Sequence, residues 1–478
     1  MKKSAILLLL LVFLFILVGC APEQSQSTAP SPGTTAAAPI ATQCSHTYQD
    51  ATCIAPKSCT KCGMTDGTAA GHSYTDDDLC SICGSARVSE GLAFTLHSSG
   101  TYYIVAGIGS CEDAEVLLPE VYNGLPVKEL GAGCFKNCKG LISISIPQSV
   151  TAIGDDAFSN CENLIRVDIP DSVTGIGKNA FAYCFKLTDL VIPDSVTGIG
   201  DAAFTYCTSI TSLVLPSNLT GIGAEAFSCC MNLTSVVFSD GITEVGKEMF
   251  SHCYKLNEVI LPDSVLTIGE GAFSYCAKMT SLVIPNSIQA IADRAFLGSG
   301  LVCVDLPGSV RSIGEETFKN CDGITHLVIP GSVNTIGAYA FSECSKLSLV
   351  VISEGVVNIG NAAFSFCSKL SSVTLPGSLV CIPKDMFFRC EILYTVVLSD
   401  GLAGIGQFAF NQCRSLTSLT IPDSVTSIDY HAFFNTPSLT RLNYTGTMEQ
   451  WNAIDLHRLW LDSGYIKEVL CSNGTIQY

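Results

Sequence analysis

Residues 169–192, IPDSVTGIGKNAFAYCFKLTDLVI, hold the pattern that decides the fold of this 478-residue chain. The pattern recurs along the chain, and a phenylalanine marks the register of every copy. Twelve of the thirteen intervals between successive copies are 23 residues long, and the remaining one is 22. The marker positions are Phe135, Phe158, Phe181, Phe204, Phe227, Phe250, Phe273, Phe296, Phe318, Phe341, Phe364, Phe387, Phe410 and Phe433. Such a regular period predicts a solenoid, in which each unit buries its apolar face by stacking on its neighbours.

One copy of the pattern predicts the path of one turn. Residues 187–192 alternate as a short strand does, with Leu190 and Ile192 facing inward and Val191 facing outward. Pro193 ends the strand because it has no N–H for the next ladder bond. The Ser-Val-Thr-x-Ile-Gly segment is expected to turn the chain, and the Ala-Phe-x-x-Cys segment to form a single helical or 3₁₀ turn. Strands of successive units then stack as a parallel ladder about 4.8 Å apart.

The repeat resembles that of the BspA-type leucine-rich-repeat family, whose unit is similar to IPxSVTxIGxxAFxxCxxLTxVx. The resemblance implies an α/β leucine-rich-repeat solenoid, with a parallel strand ladder on the concave face and short helical or 3₁₀ turns on the other. It implies an N-terminal cap at residues 91–130, repeats at 131–442 and a C-terminal cap at 443–478. Members of that family are mostly surface proteins, some of which are adhesins. The resemblance therefore implies a binding surface.

The beginning of the chain has the features of a secretory signal. Lys2 and Lys3 precede an apolar run over residues 5–18, which is short for a membrane span. The run ends in Leu-Val-Gly-Cys at residues 17–20, which resembles the bacterial lipobox, so Cys20 is expected to carry the lipid. Residues 1–20 are then a lipoprotein signal peptide, and residues 21–43, rich in Ser, Thr, Ala and Pro, are a flexible linker. The alternative is an uncleaved anchor helix.

Residues 44–90 form a separate module that is rich in cysteine and histidine. Two Cys-x-x-Cys-Gly motifs place thiolates on tight turns, as structural zinc sites do. The simplest zinc ligand set consists of Cys59, Cys62, Cys80 and Cys83. A two-site alternative adds the following residues to the two motifs: His46 and Cys53 to the first, His72 and Cys44 to the second. The sequence predicts a structural zinc in a zinc-ribbon-like module, with disulfides or a metal-free module as alternatives.

Cysteine also recurs three residues after the repeat phenylalanine. Twelve positions form this cysteine column: Cys138, Cys161, Cys184, Cys207, Cys230, Cys253, Cys276, Cys321, Cys344, Cys367, Cys390 and Cys413. A small residue repeated in register is expected to stack on its own copies in the core. Disulfides are disfavoured because side chains repeated in parallel turns point the same way, and their Cβ atoms lie further apart than the ~3.8 Å that a disulfide needs. The column is therefore predicted to be buried.

The outward position of the predicted strand holds mostly aliphatic residues. The candidate binding residues at this position, here called the aliphatic column, are Val191, Val214, Val237, Ile260, Val283, Val328 and Val351. Val and Ile are common in exposed strands of any protein, so strand preference is one explanation of the column. A continuous aliphatic stripe is also the kind of exposed apolar patch that marks a contact surface. The sequence leaves both interpretations open.

The net charge of the chain and its lack of catalytic motifs exclude several classes of function. The formal net charge of −18 repels phosphate backbones, which makes nucleic acid an unsuitable partner. The sequence has no nucleophile elbow, metalloprotease helix motif or phosphate-binding loop, so no enzyme is predicted. We expect an exported protein that is lipid-anchored at the cell membrane or outer surface and meets the membrane only through its lipid. Its repeats are expected to bind an extracellular protein or cell-surface ligand. The alternatives are a passive or self-associating envelope component and a non-catalytic subunit that recruits an enzyme.

Overall fold

Each repeat unit forms one turn of a parallel-strand solenoid of about 16 turns, so the predicted solenoid is confirmed. The computed structural model describes residues 87–460 and 464–478. The leader, the linker and most of the Cys/His-rich module lie outside these residues. From Ser89 onward the chain forms one structural unit, which two ladders of short strands hold together.

The first ladder contains the strand that the alternation predicts. Its strands pair in parallel and in register, one repeat apart. Pairing lapses at some turns, which divides the ladder into sheets of three or four strands. The strands are Glu115–Leu117, Ser143–Ser145, Arg166–Asp168, Ser212–Val214, Ser235–Val237, Glu258–Ile260, His326–Ile329, Leu349–Ile352, Ser372–Thr374, Thr395–Val397, Leu419–Ile421, Arg441–Tyr444 and Glu468–Cys471, with Gly474–Gln477 antiparallel at the end.

The predicted Ser-Val-Thr-x-Ile-Gly turn is confirmed only at its start, where the Val173 N–H donates to the Pro170 carbonyl at 3.0 Å. The x-Ile residues instead form a second parallel ladder, and that part of the prediction is wrong. Two residues per turn are extended and pair with the same two residues of the next turn, which stacks Ile153, Ile176 and Ile199 in the core. The strands are Ala93–Leu96, Tyr103–Gly107, Val121–Tyr122, Leu125–Leu130, Ala152–Ile153, Gly175–Ile176, Gly198–Ile199, Gly221–Ile222, Glu244–Val245, Thr267–Ile268, Ala290–Ile291, Ser312–Ile313, Thr335–Ile336, Asn358–Ile359, Cys381–Ile382, Gly404–Ile405, Ser427–Ile428 and Asp455–Leu456.

The segment around each repeat phenylalanine, called the turn side below, is not helical, so the predicted helical or 3₁₀ turn is wrong. The residues two before and two after the phenylalanine have positive φ, as at Asn179 (51°) and Tyr183 (62°). A left-handed residue on each side interrupts any right-handed helix. The backbone N–H groups alternate between two kinds of partner: the Phe181 N–H donates to the Ala203 carbonyl of the next turn at 2.7 Å, and the Ala182 N–H donates to the Asn179 carbonyl three residues back at 3.0 Å. Tight-turn bonds and bonds to the next turn therefore together take the place of a helix.

The repeat phenylalanines form a continuous stack through the core. All fourteen are at most 1% exposed. Centroids of successive rings are 5.0 to 6.1 Å apart, and the rings are close to parallel. Offset stacking at this spacing adds to the apolar area that each ring buries. The phenylalanine therefore fixes the register of the solenoid as well as marking it.

The cysteine column lies beside this stack and consists of free thiols, of which eleven are buried and Cys138 is half-buried. Each of the eleven buried thiols makes the same kind of hydrogen bond: its Sγ donates to the phenylalanine carbonyl of the preceding turn. Cys253 Sγ, for example, lies 3.3 Å from the Phe227 carbonyl oxygen. The others are Cys161, Cys184, Cys207, Cys230, Cys276, Cys321, Cys344, Cys367, Cys390 and Cys413. The thiol thus supplies a donor that an alanine of similar size lacks.

Successive turns approach closely at the glycine that follows most of the two-residue second-ladder strands, although Ala292, Pro383 and Asp429 stand at this position in three turns. A Cβ atom built on Gly200 would lie 2.5 Å from the Lys178 nitrogen and 2.7 Å from the Gly177 carbonyl carbon. The Gly200 N–H meanwhile donates to the Ile176 carbonyl at 2.8 Å. Glycine is required here because the backbone of the preceding turn occupies the space of a side chain.

Antiparallel hairpins lie at both ends of the ladders. At the start of the second ladder, Ala93–Leu96 pairs antiparallel with Tyr103–Gly107, and Val121–Tyr122 pairs antiparallel with Leu125–Leu130. At the end of the first ladder, Glu468–Cys471 pairs with Gly474–Gln477. A short helix, Met448–Asn452, buries Trp451, whose Nε1–H donates to the Tyr478 hydroxyl at 2.8 Å. Across the described residues, no helix has the length and apolar content that crossing a membrane requires.

Candidate binding surface

The aliphatic column lies on the outer face of the first ladder. Val214, Val237 and Ile260 are paired in register on adjacent strands and are 65%, 36% and 52% exposed. The residues before them in the strands point inward, and Leu213 and Val236 are buried. Strand alternation therefore positions these three side chains at the surface, one per turn.

The remaining column residues differ in their surroundings. Val191 and Val283 are the most exposed, at 74% and 83%, and each lies in a turn where strand pairing lapses. Val328 and Val351 lie in four-residue strands and are only half-buried. The structure therefore places five of the seven candidates at the surface and interrupts the strand ladder beneath two of them.

Carboxylates flank the exposed part of the column. Asp189, Glu258 and Asp305 are exposed on the same face. Asp168 is also exposed, and its Oδ1 accepts a 2.8 Å hydrogen bond from the Arg166 Nε. That bond raises the pKa of the Arg166 side chain, which stays charged. A partner that covers this face would meet apolar side chains bordered by negative charge.

Sequence reasoning missed a second set of exposed groups, on the turn side. Aromatic residues occupy the left-handed position two residues after the repeat phenylalanine in several turns: Tyr183, Tyr275 and Phe366 are exposed, and Tyr206 is half-buried. The rings of Tyr183 and Tyr206 stack with centroids 4.9 Å apart. The signal in the sequence was weak: this position holds Asn, Tyr or Phe in eight of the fourteen turns and varied residues, such as Glu343 and Arg389, in the others.

The lipidation and zinc candidates all precede the described residues. They are Cys20, Cys44, His46, Cys53, Cys59, Cys62, His72, Cys80 and Cys83. Structural zinc therefore stays a prediction. Within residues 87–460 and 464–478, no group of three or more His, Cys, Asp or Glu side chains is arranged to hold a metal ion.

Several solved structures are similar to this chain. A leucine-rich repeat protein from Bacteroides ovatus is 26% identical, with a TM-score of 0.62, over 80% of this chain and 99% of that one. A leucine rich cell surface protein from Faecalibacterium prausnitzii is 28% identical, with a TM-score of 0.45, over 77% and 97%. The pneumococcal vaccine antigen PcpA is 18% identical, with a TM-score of 0.42, over 82% and 98%. No curated protein matches the chain significantly.

The family pattern described as BspA type Leucine rich repeat region matches the chain in six copies. The matched residues are 128–257, 243–353 and 335–453, which together span the stacked core and most of both ladders. Solenoids of this class typically serve as non-enzymatic binding scaffolds. The chain belongs to the BspA-type leucine-rich-repeat family.

Proposed function

We propose that this protein is a lipid-anchored cell-surface protein that binds an extracellular protein or cell-surface ligand through the aliphatic column, and that it is not an enzyme. The observation that carries the proposal is the in-register exposure of Val214, Val237 and Ile260. Proteins of this family are cell-surface proteins, which agrees with an extracellular partner.

The energetics favour a contact that spans several turns. When a partner removes the remaining accessible surface of an exposed Val or Ile from water, the free energy of binding becomes more favourable by roughly 1 kcal/mol for each such residue. Side chains on successive strands are held at a fixed spacing, so a partner meets them without further ordering of this chain. The flanking carboxylates favour a partner that has basic groups around an apolar centre.

Replacing Val214, Val237, Ile260 and Val283 together by Thr is expected to weaken binding at least about tenfold. Thr keeps the branched shape and strand preference but adds polarity, so the fold is retained while the apolar contact is lost. The measurement is the binding of fluorescently labelled protein to cultured epithelial cells and to whole bacteria, by flow cytometry.

A matched control replaces exposed aliphatic residues elsewhere by Thr. Leu266, Val357 and Val380 are similarly exposed but precede second-ladder strands. This control is expected to bind as the unmodified protein does. Unchanged binding by the four-residue variant would show that the aliphatic column only forms strands.

The proposed anchor has its own test. Cys20→Ala is expected to move the protein from the detergent phase to the aqueous phase in Triton X-114 partitioning, because the mature chain then has no acyl group. Cys381→Ala, which removes an exposed cysteine of the repeats, is the control and should remain in the detergent phase. Retention of the Cys20→Ala variant in detergent would contradict lipidation at this residue.

A further inference from the structure

A cavity of about 500 Å³ opens on the turn side. It spans the turns whose core phenylalanines are Phe341, Phe364, Phe387 and Phe410. Its lining includes Tyr339, Phe366, Lys384, Asp385, Asn411 and Gln412. The volume lies in the range of small-molecule sites, roughly 300 to 1,000 Å³.

Aromatic rings form the apolar wall of this cavity. Phe366 and Tyr339 are 41% and 40% exposed. The Phe366 ring meets the Phe388 ring edge-on, with centroids 5.3 Å apart. The Arg389 guanidinium lies 5.5 Å from the centre of the Phe366 ring, which holds the cationic group beside the wall. Part of this aromatic surface is in contact with water, which is unfavourable. An occupant that covered it would gain the corresponding free energy of transfer.

A buried polar atom in the same cavity has no partner in the described structure. Asn411 is 6% exposed, and its Oδ1 accepts no hydrogen bond. Other turns have Ser342 and Ser365 at the corresponding position, where the two hydroxyls bond to each other at 2.9 Å. An unsatisfied buried acceptor costs about 1–3 kcal/mol. The Oδ1 atom has almost no accessible surface, so a rotation of the Asn411 side chain must bring it to the cavity before the donor group of a ligand can remove that cost.

Polar groups complete the lining. The Asp385 carboxyl is half-buried, and burial raises its pKa. The Lys384 ammonium and the Gln412 amide supply donors. The cavity therefore combines an apolar aromatic wall with acceptors and donors, so it suits a molecule that has one apolar face and several hydroxyls around its edge.

We propose that this cavity binds a pyranose ring of a carbohydrate. The C–H face of the sugar packs on Phe366, and a hydroxyl donates to Asn411 Oδ1 once the amide has rotated toward the cavity. An organic cation suits the site less well because Lys384 and Arg389 repel it. A plain aromatic ring would leave the Asn411 acceptor unsatisfied. The site is on the turn side, away from the aliphatic column, so it does not depend on the function proposed above.

The test uses the full chain and methyl glycosides of glucose, galactose, mannose and N-acetylglucosamine. Saturation-transfer NMR is expected to detect binding of at least one glycoside. Phe366→Ala and Asn411→Ser should each weaken that binding at least about tenfold. Serine is the residue that other turns have at this position, so Asn411→Ser removes the amide and keeps a side chain that the fold accepts.

Tyr275→Ala is the matched control. Tyr275 occupies the same repeat position as Phe366, with φ of 58° against 60°, and is 40% exposed, but it lies outside the cavity. Its replacement should leave glycoside binding unchanged. Three results would overturn the proposal: no transfer to any glycoside at millimolar concentration, equal weakening by Tyr275→Ala, or binding of N-acetyltyrosinamide or tetramethylammonium in place of the sugars.

Discussion

Raising the pH to about 9.5 is expected to unfold this protein, with a loss of unfolding free energy on the order of 10 kcal/mol relative to neutral pH. The cause is the cysteine column. Burial raises the pKa of its eleven buried thiols, to about 12 for Cys161 and Cys321, whereas an unfolded cysteine titrates near about 8.5. Because the folded pKa is the higher one, the protonated thiols stabilise the fold below about pH 8.5, and that stability is lost as the pH rises toward the folded values. In this pH window, each buried thiol lowers the free energy of unfolding by about 1.4 kcal/mol per pH unit.

Urea unfolding followed by circular dichroism under reducing conditions measures this effect between about pH 7 and 10. Replacing Cys253 and Cys276 by Ala should reduce the pH dependence by the contribution of two thiols, although each change also removes a hydrogen bond. Cys381→Ala removes an exposed cysteine and should leave the pH dependence as it is. Equal stability at neutral pH and at about pH 9.5 would show that the column thiols are not held protonated in the fold.

Gly200→Ala is expected to destabilise the solenoid by about 3 kcal/mol, at the upper end of the range for overpacking. The new methyl group would lie 2.5 Å from the Lys178 nitrogen, so the two turns must separate. Separation lengthens the bond from the Gly200 N–H to the Ile176 carbonyl, and the same close approach recurs at Gly223 in the next turn. The backbone cannot give way in one turn without shifting its neighbours.

Gly198→Ala supplies the comparison two residues away. A Cβ atom at Gly198 meets nothing within 4 Å, so this change should alter stability by less than about 1 kcal/mol. Urea unfolding of the two variants and of the unmodified protein measures how much each change lowers the free energy of unfolding. Equal stability of the two would contradict the close approach of the turns at Gly200.

The solenoid and its first ladder could be predicted because the repeat itself carries the information. A phenylalanine every 23 residues can be buried in every copy only if the copies stack. Alternation around Val191 then gives the outward side of the strand. Both inferences use positions that recur in almost every turn, so one exception does not change them.

The second ladder and the turn side could not be read in the same way. A strand of two residues, such as Gly175–Ile176, is too short to show alternation. The residues with positive φ are mostly not glycine: Asn179 and Tyr183 have this conformation in one turn, and Glu225 and Cys229 in another. The usual sequence signal for a left-handed residue was therefore missing, and a helical turn was the simpler prediction.

The candidate carbohydrate site depends on departures from the repeat. Asn411 and Phe388 replace the small residue that follows the core phenylalanine in turns such as that of Ser342. Each departure looks incidental in the sequence. Only the stacking of three to four turns brings them to one cavity.

The bonds between turns also bear on how such a protein changes over generations. Each turn is bonded to its two neighbours: the Phe181 N–H donates to the following turn, and the Cys184 thiol to the preceding one. Loss or duplication of one whole 23-residue unit in the gene would therefore join two surfaces that already match. Selection can lengthen or shorten the molecule one turn at a time without inventing new contacts. The length of the solenoid, and the number of exposed side chains that it displays, would change in the same steps.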